Sequence, residues 1–300
     1  MKIFNKKKLI THDGSFHSDD VFAAAAFSLM LEKDGVSFEI IRTRDEDIIE
    51  TGDYVFDVGG VHDVEKNRFD HHQVGGAGKR PNGIEYAAFG LVWKKFGKIL
   101  AGSEKSAAMI DKKLVSPIDA WDNGYDLVAN KYEITPYYMQ HIFFAMHPTW
   151  KEEDVNIDGV FLECVEMAKK VLTREIIQAK DLIEAEEAVM ATYNASPDKR
   201  IIILEKNYPF EYVLHALSEP LYAVYPRKTE GSWGVKAIRQ DPKSFINRKN
   251  LPKAWAGLQG EELVNVSGVS DAIFCHRGLW LAGAKSKEGA IKLAQIAVES

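Results

Sequence analysis

Three short stretches of the chain concentrate carboxylates and imidazoles, the side chains that bind divalent metal ions through oxygen and nitrogen. Residues 70–72 read DHH, residues 11–20 read THDGSFHSDD, and residues 116–124 read SPIDAWDNG. The two cysteines, Cys164 and Cys275, lie outside these stretches. Oxygen and imidazole ligands without thiolates indicate manganese, magnesium, iron or zinc. These stretches therefore favour a metal-dependent hydrolase.

Two divalent ions about 3.5–4 Å apart can hold both the attacking and the leaving oxygen of a phosphoryl displacement. Such a site needs bridging carboxylates, and imidazoles that arrive from several segments. Four segments supply candidate ligands, which are His12, His17, Asp19, Asp57, His71 and Asp119. Asp122 is the alternative to Asp119, although the Asn-Gly pair that follows it favours a turn. We expect Asp13 and Asp20 to be cap or turn residues.

The predicted elements around these residues alternate between strands and helices. Residues 8–11, 37–42 and 54–58 have the pattern of strands, and a helix is predicted to begin at Ser18 and to run to Leu31. This alternation is typical of a parallel sheet, whose ligand sites gather at the carboxyl ends of the strands. The first stretch and Asp57 both fall at such ends.

The rest of the chain suggests a second domain. A glycine-rich loop at 75–83 could move over the site, and Pro117 is expected to break a helix before Asp119. A long helical pattern covers 158–194, and short strands, a hairpin and a closing helix follow it. We therefore predict an α/β chain with three parts. They are a parallel-sheet catalytic domain at 1–157, a connecting helix at 158–197 and a smaller α+β substrate-binding domain at 198–300.

Composition limits the function classes. The chain has 300 residues, of which 46% are hydrophobic and 27% charged, and two domains are expected from that length. The net charge of −6 disfavours a protein that coats long nucleic acid. Two unpaired cysteines indicate a reduced, cytoplasmic protein, and we expect neither a signal peptide nor a membrane span.

Further motifs extend along nearly the whole chain. They read DVGG at 57–60, RFDHHQ at 68–73, NGIEYAAFG at 82–90, IDAWDNG at 118–124, SFINR at 244–248, LP at 251–252, WAGL at 255–258 and FCHR at 274–277. Together with residues 11–20, they resemble the four motifs of the DHH phosphoesterase superfamily. The chain is more closely similar to the melanocyte-proliferating-gene (Myg) family of that superfamily.

The resemblance implies a DHH-type N-terminal domain that holds two divalent ions, usually manganese, with Mg²⁺, Fe²⁺ or Zn²⁺ as alternatives. His12 and Asp19 resemble first-motif ligands, Asp57 the bridging carboxylate, and His71 and Asp119 later ligands. Many members carry Asp where His17 stands, and an imidazole there favours borderline metals over magnesium.

The resemblance also implies roles in catalysis and substrate binding. The catalytic residues would be Asp57, His72 beside the phosphate, and Asp70, which supports the imidazoles. His276 and Arg277 resemble a substrate loop, and Arg80 of the glycine loop is a further candidate for binding phosphate.

The implied activity is hydrolysis of phosphodiester or phosphoanhydride bonds, and the Myg branch has been associated with 3′-to-5′ RNA exonuclease activity. The expected substrate is a nucleotide or a short oligonucleotide, with RNA favoured. A pyrophosphatase-like enzyme and a metal-binding regulatory protein without turnover are the alternatives. The oligomeric state, including a homodimer, stays open. We expect His141, His147 and His215 to have structural roles only.

Overall fold

The computed structural model describes residues 6–227, 231–241 and 244–300. The chain divides into two compact units, of which the first ends at Lys180 and the second spans Asp181–Ser300. The division falls inside a long helix, Ile157–Ala195. The domain boundaries expected from the sequence stay a prediction.

The first unit is built on a five-stranded sheet. Its strands are β1 (Lys7–Thr11), β2 (Phe38–Arg42), β3 (Tyr54–Phe56), β4 (His62–Asp63) and β5 (Arg68–Phe69). The strand order is β2-β1-β3-β5-β4, and every neighbouring pair is parallel except β4 with β5. The predicted parallel sheet is confirmed.

Helices accompany this sheet. They are α1 (Ser18–Lys33), α2 (Glu46–Glu50), α3 (Ala88–Ala101), α4 (Glu104–Ile110), α5 (Ser116–Asp122), α6 (Met139–Met146) and α7 (Ile157–Ala195). Most of α1 is buried, and it packs against α3 through aromatic side chains such as Phe22 and Phe89, whose ring centroids lie 5.3 Å apart. Because the core surrounds α1, its first turn is fixed, and Ser18, Asp19 and Asp20 are themselves buried.

The expected break at Pro117 is wrong. The chain passes from α4 through a π-helical turn, Asp111–Val115, directly into α5. Pro117 lies in the first turn of α5, where a missing backbone N–H is tolerated and the fixed φ of proline suits a helix. Asp119 is therefore inside a helix and does not follow a broken one.

The second unit has its own five-stranded sheet. Its strands are β6 (Ile201–Ile203), β7 (Tyr222–Pro226), β8 (Trp233–Ala237), β9 (Ala272–Cys275) and β10 (Leu281–Ala284), in the order β6-β7-β8-β10-β9. Only β6 and β7 are parallel. Its helices are α8 (Glu211–His215), α9 (Gly260–Ser267), α10 (Lys287–Glu299) and a 3₁₀ turn, Lys253–Trp255.

This unit contains helices and strands, as predicted for an α+β domain, and its sheet is mainly antiparallel. The predicted hairpin is present as β7 and β8, although residues 228–230 of its connection lie outside the described residues. The last strand begins two residues later than expected, because Leu279 adopts a turn conformation with φ of 58°. Within the described ranges, no helix combines the length and apolar character needed to span a membrane.

Candidate metal centre

The carboxyl ends of three parallel strands carry the predicted ligands. His12 follows β1, Asp57 follows β3, and His71 lies two residues after β5. His17 is the N-cap residue of α1, which places Asp19 in the first turn of that helix. Parallel strands end at one edge of a sheet, so these residues, distant in sequence, converge.

The polar atoms of this cluster lie close together. Asp57 uses one oxygen for each of two imidazoles: its Oδ2 is 3.2 Å from His12 Nε2, and its Oδ1 is 3.2 Å from His71 Nε2. His71 Nε2 is also 3.3 Å from Asp122 Oδ2 and 3.9 Å from Asp19 Oδ2. Asp57 is therefore the common partner of both histidines.

Three overlapping groups of side chains could each hold a cation. They are His12 with His17 and Asp57, His17 with Asp19 and Asp122, and Asp57 with His71 and His72. Within each group the ligand atoms lie within 4.8 Å of one another. His17 and Asp57 each belong to two groups. One side chain could therefore contribute to two neighbouring cation sites.

Several buried atoms of the cluster have no hydrogen-bond partner among the described residues. They are both carboxylate oxygens of Asp19, Asp20 Oδ2, Asp57 Oδ1 and His71 Nε2. Leaving a buried polar atom unpaired costs about 1–3 kcal/mol, so such atoms are rare unless something else satisfies them. Carboxylate oxygens and imidazole nitrogens without thiolates suit manganese, iron or zinc. The residues therefore fit bound divalent cations.

The electrostatics of the cluster favour protonation of its buried groups. Burial raises the pKa of Asp19 well above its usual range, and the nearby charges of Asp122 and Asp57 raise it further. Burial opposes charge on His12, but the nearby carboxylates of Asp20 and Asp57 outweigh burial and raise the pKa of His12 to about 9. Cations that bound here would displace these protons.

The backbone of Asp57 is in the left-handed region, with φ of 55°. Few non-glycine residues adopt this conformation, although Asp and Asn tolerate it best. Such conformations cluster at functional sites, where the surrounding structure holds them in place. Here the amide of Asp57 donates to the carbonyl of Phe69 in the neighbouring strand, and this bond helps to fix the turn.

Asp70 organises the loop that carries the histidine pair. Its Oδ1 accepts from the amides of His71 at 2.7 Å and His72 at 3.1 Å, and its Oδ2 accepts from the amide of Gly60 at 2.6 Å. The same Oδ1 is 2.8 Å from His72 Nδ1, and this hydrogen bond raises the pKa of His72. The His72 side chain is 62% exposed, whereas that of His71 is 8% exposed. The pair thus divides into a buried imidazole and an accessible one.

Two predicted site residues bind each other instead. Asp119 Oδ2 lies 2.6 Å from Arg80 Nη1, and Asp119 Oδ1 accepts from the amide of Gly90 at 3.0 Å. Arg80 also pairs with Asp111 at 2.8 Å. Both Asp119 and Arg80 are buried.

The structure therefore pairs Asp119 with Arg80 and not with the histidine cluster, and the predicted roles of Asp119 in metal binding and of Arg80 in substrate binding stay predictions. Each side chain is committed to a buried ion pair. Asp122, one helical turn later, places its carboxylate with His17 and His71.

Sequence reasoning missed two further residues that contact the cluster. Asp20 was expected to be a cap residue, and its Oδ1 does accept from the amide of His17 at 2.8 Å, but its Oδ2 also lies 3.3 Å from His12 Nε2. Gln140 of α6 accepts a hydrogen bond from the amide of Ser18, between His17 and Asp19. No spacing in the sequence indicates a contact across 122 residues.

The remaining histidines fall into two groups. His141, His147 and His215 each hydrogen-bond to backbone, as expected for structural imidazoles. His276 and Arg277 lie in the second unit between β9 and β10, and His276 Nδ1 accepts from the amide of Gly278 at 3.0 Å. Their role in substrate binding stays a prediction.

Similarity to known proteins extends over almost the whole chain. A solved structure, RecJ from Thermus thermophilus in complex with Mg²⁺, aligns with 98% of this chain and 50% of its own at 12% identity, with a TM-score of 0.28. That score is too low to show a common fold.

The sequence relatives are much closer. The human MYG1 exonuclease is 29% identical over 98% of this chain and 86% of its own length. A MYG1 protein of Caenorhabditis elegans is 31% identical over 96% of this chain and 94% of its own length. The family model MYG1_exonuc, described as "Uncharacterised protein family (UPF0160)", matches residues 8–298. The chain therefore belongs to the MYG1 family.

Proposed function

We propose that this protein is a metal-dependent phosphoesterase that cleaves phosphodiester bonds of short nucleic acids as an exonuclease, with RNA as the preferred substrate and Mn²⁺ as the cation. The observation that carries the proposal is the buried cluster of imidazoles and carboxylates at the edge of the first sheet. Its unpartnered atoms and its overlapping ligand groups fit neighbouring divalent ions.

In this proposal, His12, His17 and Asp57 would hold one cation. Asp19, His71 and Asp122 would hold a second, with Asp57 shared between the two. When bound, such ions neutralise charge on a phosphoryl group and lower the pKa of an attacking water. The ligands of the second cation would come from three separate segments, which are the first turn of α1, the loop after β5 and the end of α5.

At the accessible side of the cluster, Asp70 holds the His72 side chain in position for contact with the substrate. Asp70 fixes the His72 ring through Nδ1, which leaves Nε2 for contact with the substrate. A phosphoryl oxygen or a leaving oxygen that approached His72 would meet a donor held in place before the substrate arrives. Asp70 acts only through His72 and the loop, so it is a positioning residue in this scheme.

Two further findings support the choice of substrate. Relatives that match nearly the whole chain carry the name MYG1 exonuclease. The net charge of −6 disfavours tight binding of long polyanions and favours short substrates.

The test is a screen of purified protein, loaded with Mn²⁺, against short RNA, short DNA, dinucleotides and pyrophosphate. We expect mononucleotides to be released from one end of RNA, with loss of activity after chelation. His71→Asn should abolish cleavage and lower the bound manganese, whereas His62→Asn is the matched control, because His62 lies in β4 and contacts a backbone carbonyl.

Other outcomes would separate the alternatives. Phosphate release from pyrophosphate without shortening of oligonucleotides would replace this proposal with a small-molecule phosphohydrolase. Bound manganese without hydrolysis of any phosphoester would indicate a regulatory protein.

We also propose a cytoplasmic location. Cys164 and Cys275 are both buried and free, and buried free thiols are compatible with a reducing compartment. Fractionation of cells that express the protein tests this location.

A further inference from the structure

A cavity of about 600 Å³ lies in the first unit, beside the metal centre but outside its ligand groups. The π-helical turn and α5 contribute Leu114, Pro117, Ile118 and Trp121 to its lining. Residues 124–128 and the start of α6 contribute further lining residues. Its volume lies within the range of roughly 300–1,000 Å³ that is typical of small-ligand sites.

The lining of the cavity is mainly apolar and includes three aromatic side chains. Trp121, Tyr125 and Tyr138 all line the cavity, and Val128 adds an apolar side chain that is 46% exposed. Aromatic rings bind other flat rings by stacking, and this attraction depends little on the identity of the ring. The lining therefore suits a planar heterocycle better than a sugar or a free phosphate.

A buried amide adds a polar group. Gln140 is 1% exposed and lines the cavity, and its Oε1 accepts from the amide of Ser18. Its Nε2 has no hydrogen-bond partner in the described part of the chain. A ring carbonyl oxygen or ring nitrogen would be an acceptor for this group, and every nucleobase carries one.

The cavity is lined by sequence neighbours of the candidate metal ligands. Ser18 lines it and lies between His17 and Asp19, and Trp121 precedes Asp122. The Trp121 ring packs 5.6 Å from the ring of Phe144, which is 6.2 Å from the ring of His17. A molecule with a phosphate at the cluster could thus place an attached ring in this cavity.

We propose that this cavity binds the nucleobase of the nucleotide whose phosphate is hydrolysed at the metal centre. The inference rests on the proposed phosphoesterase function and adds to it a specific subsite. This subsite makes the enzyme selective for nucleic acid over phosphodiesters that lack a base. Because stacking depends little on ring identity, discrimination among the four bases is weak.

The test uses a variant that fills the cavity without touching a metal ligand. Val128→Trp places a large side chain in the wall, and Ile134→Trp is the matched control, because Ile134 is 76% exposed and does not line the cavity. The substrates are an RNA dinucleotide and the same dinucleotide with an abasic residue at the cleaved end. Binding of adenosine to each protein is measured separately by equilibrium dialysis.

We expect Val128→Trp to raise the KM for the intact dinucleotide about tenfold, since loss of one stacked base weakens binding by about that order. Its turnover of the abasic substrate and its manganese content should match those of the wild type. The wild type and Ile134→Trp should bind adenosine, and Val128→Trp should not. If Val128→Trp fails to fold, Tyr125→Leu removes one stacking ring, and the same pattern is expected.

The failures of the two proposals can be told apart. Equal KM values for the intact and abasic dinucleotides in the wild type, without adenosine binding, would overturn the nucleobase subsite and leave the phosphoesterase intact. Adenosine binding that Val128→Trp removes, in a protein that hydrolyses no phosphodiester, would overturn the phosphoesterase and leave a nucleoside-binding cavity.

Discussion

The two units differ in how far their buried polar side chains are hydrogen-bonded, although each unit contains a five-stranded sheet with helices. In the second unit, Tyr222 Oη donates to the carbonyl of Asn250 at 2.9 Å, and Arg248 donates to two backbone carbonyls. In the first unit, Asp19, Asp57 and His71 keep buried atoms without a hydrogen bond, and all such side-chain atoms among the described residues belong to this unit.

The difference shows where each unit uses its polar side chains. In the second unit they close hydrogen bonds with backbone and add to stability. In the first unit they lie close together at the edge of the sheet, and some of their buried atoms make no hydrogen bond, which costs free energy of folding. A bound cation would offset that cost. Unpaired polar atoms thus locate the candidate centre without reference to any relative.

The largest expected effect follows from Asp57→Asn. Asn tolerates the left-handed backbone and keeps the side-chain volume, so the fold should persist by circular dichroism. The substitution removes the carboxylate charge that two of the candidate ligand groups share. Loss of several kcal/mol of charge stabilisation corresponds to roughly 10³-fold lower Mn²⁺-dependent cleavage. Asp63→Asn, in β4, is the control, and full activity of Asp57→Asn with manganese in excess would contradict the assignment.

The next comparison sets Asp122→Asn against Asp119→Asn. The first should lower manganese content and activity, with little change in the free energy of unfolding of the metal-free protein. The second leaves Arg80 paired with Asp111 but weakens its buried contact at Nη1, and should cost about 1–3 kcal/mol of stability. Chemical denaturation and elemental analysis of both variants measure these effects. The reverse pattern would restore Asp119 as the ligand.

Substitution of a carboxylate in the second unit should lower stability without loss of manganese, which is the opposite of the effect expected at Asp57. Asp271 Oδ2 accepts from the amide and the hydroxyl of Ser286, at the start of α10. Asp271→Ala should therefore lower the free energy of unfolding by about 1–3 kcal/mol and leave manganese content unchanged. Urea denaturation checks the first part, and a variant that lost manganese would weaken the contrast between the units.

The smallest effect concerns the thiols, one in each unit. Burial raises the pKa of Cys164 and of Cys275 to about 11. Because the thiolate is the reactive form, neither should react appreciably with Ellman's reagent at pH 7 in the folded protein, and both should react after denaturation. Rapid labelling of one thiol in the native state would show that its unit opens locally.

Several features could be predicted from the sequence because they depend on short-range patterns. Alternating strands and helices identified the parallel sheet, and ligand residues just after strands identified His12, Asp57 and His71 as neighbours. The long helix and the mainly antiparallel second unit also follow from periodicity. Pro117 misled the prediction, since proline ends a helix in its interior but is accepted in a first turn.

The sequence by itself determined which segments would meet: residues at the carboxyl ends of parallel strands must share one edge, whatever the rest of the chain does. Only the tertiary structure decided which of Asp119 and Asp122 lies in the histidine cluster. Residues three apart lie on nearly the same face of a helix, separated by roughly 4.5 Å along its axis, so periodicity does not distinguish them. Arg80, from a distant segment, pairs with Asp119 and leaves Asp122 to the cluster.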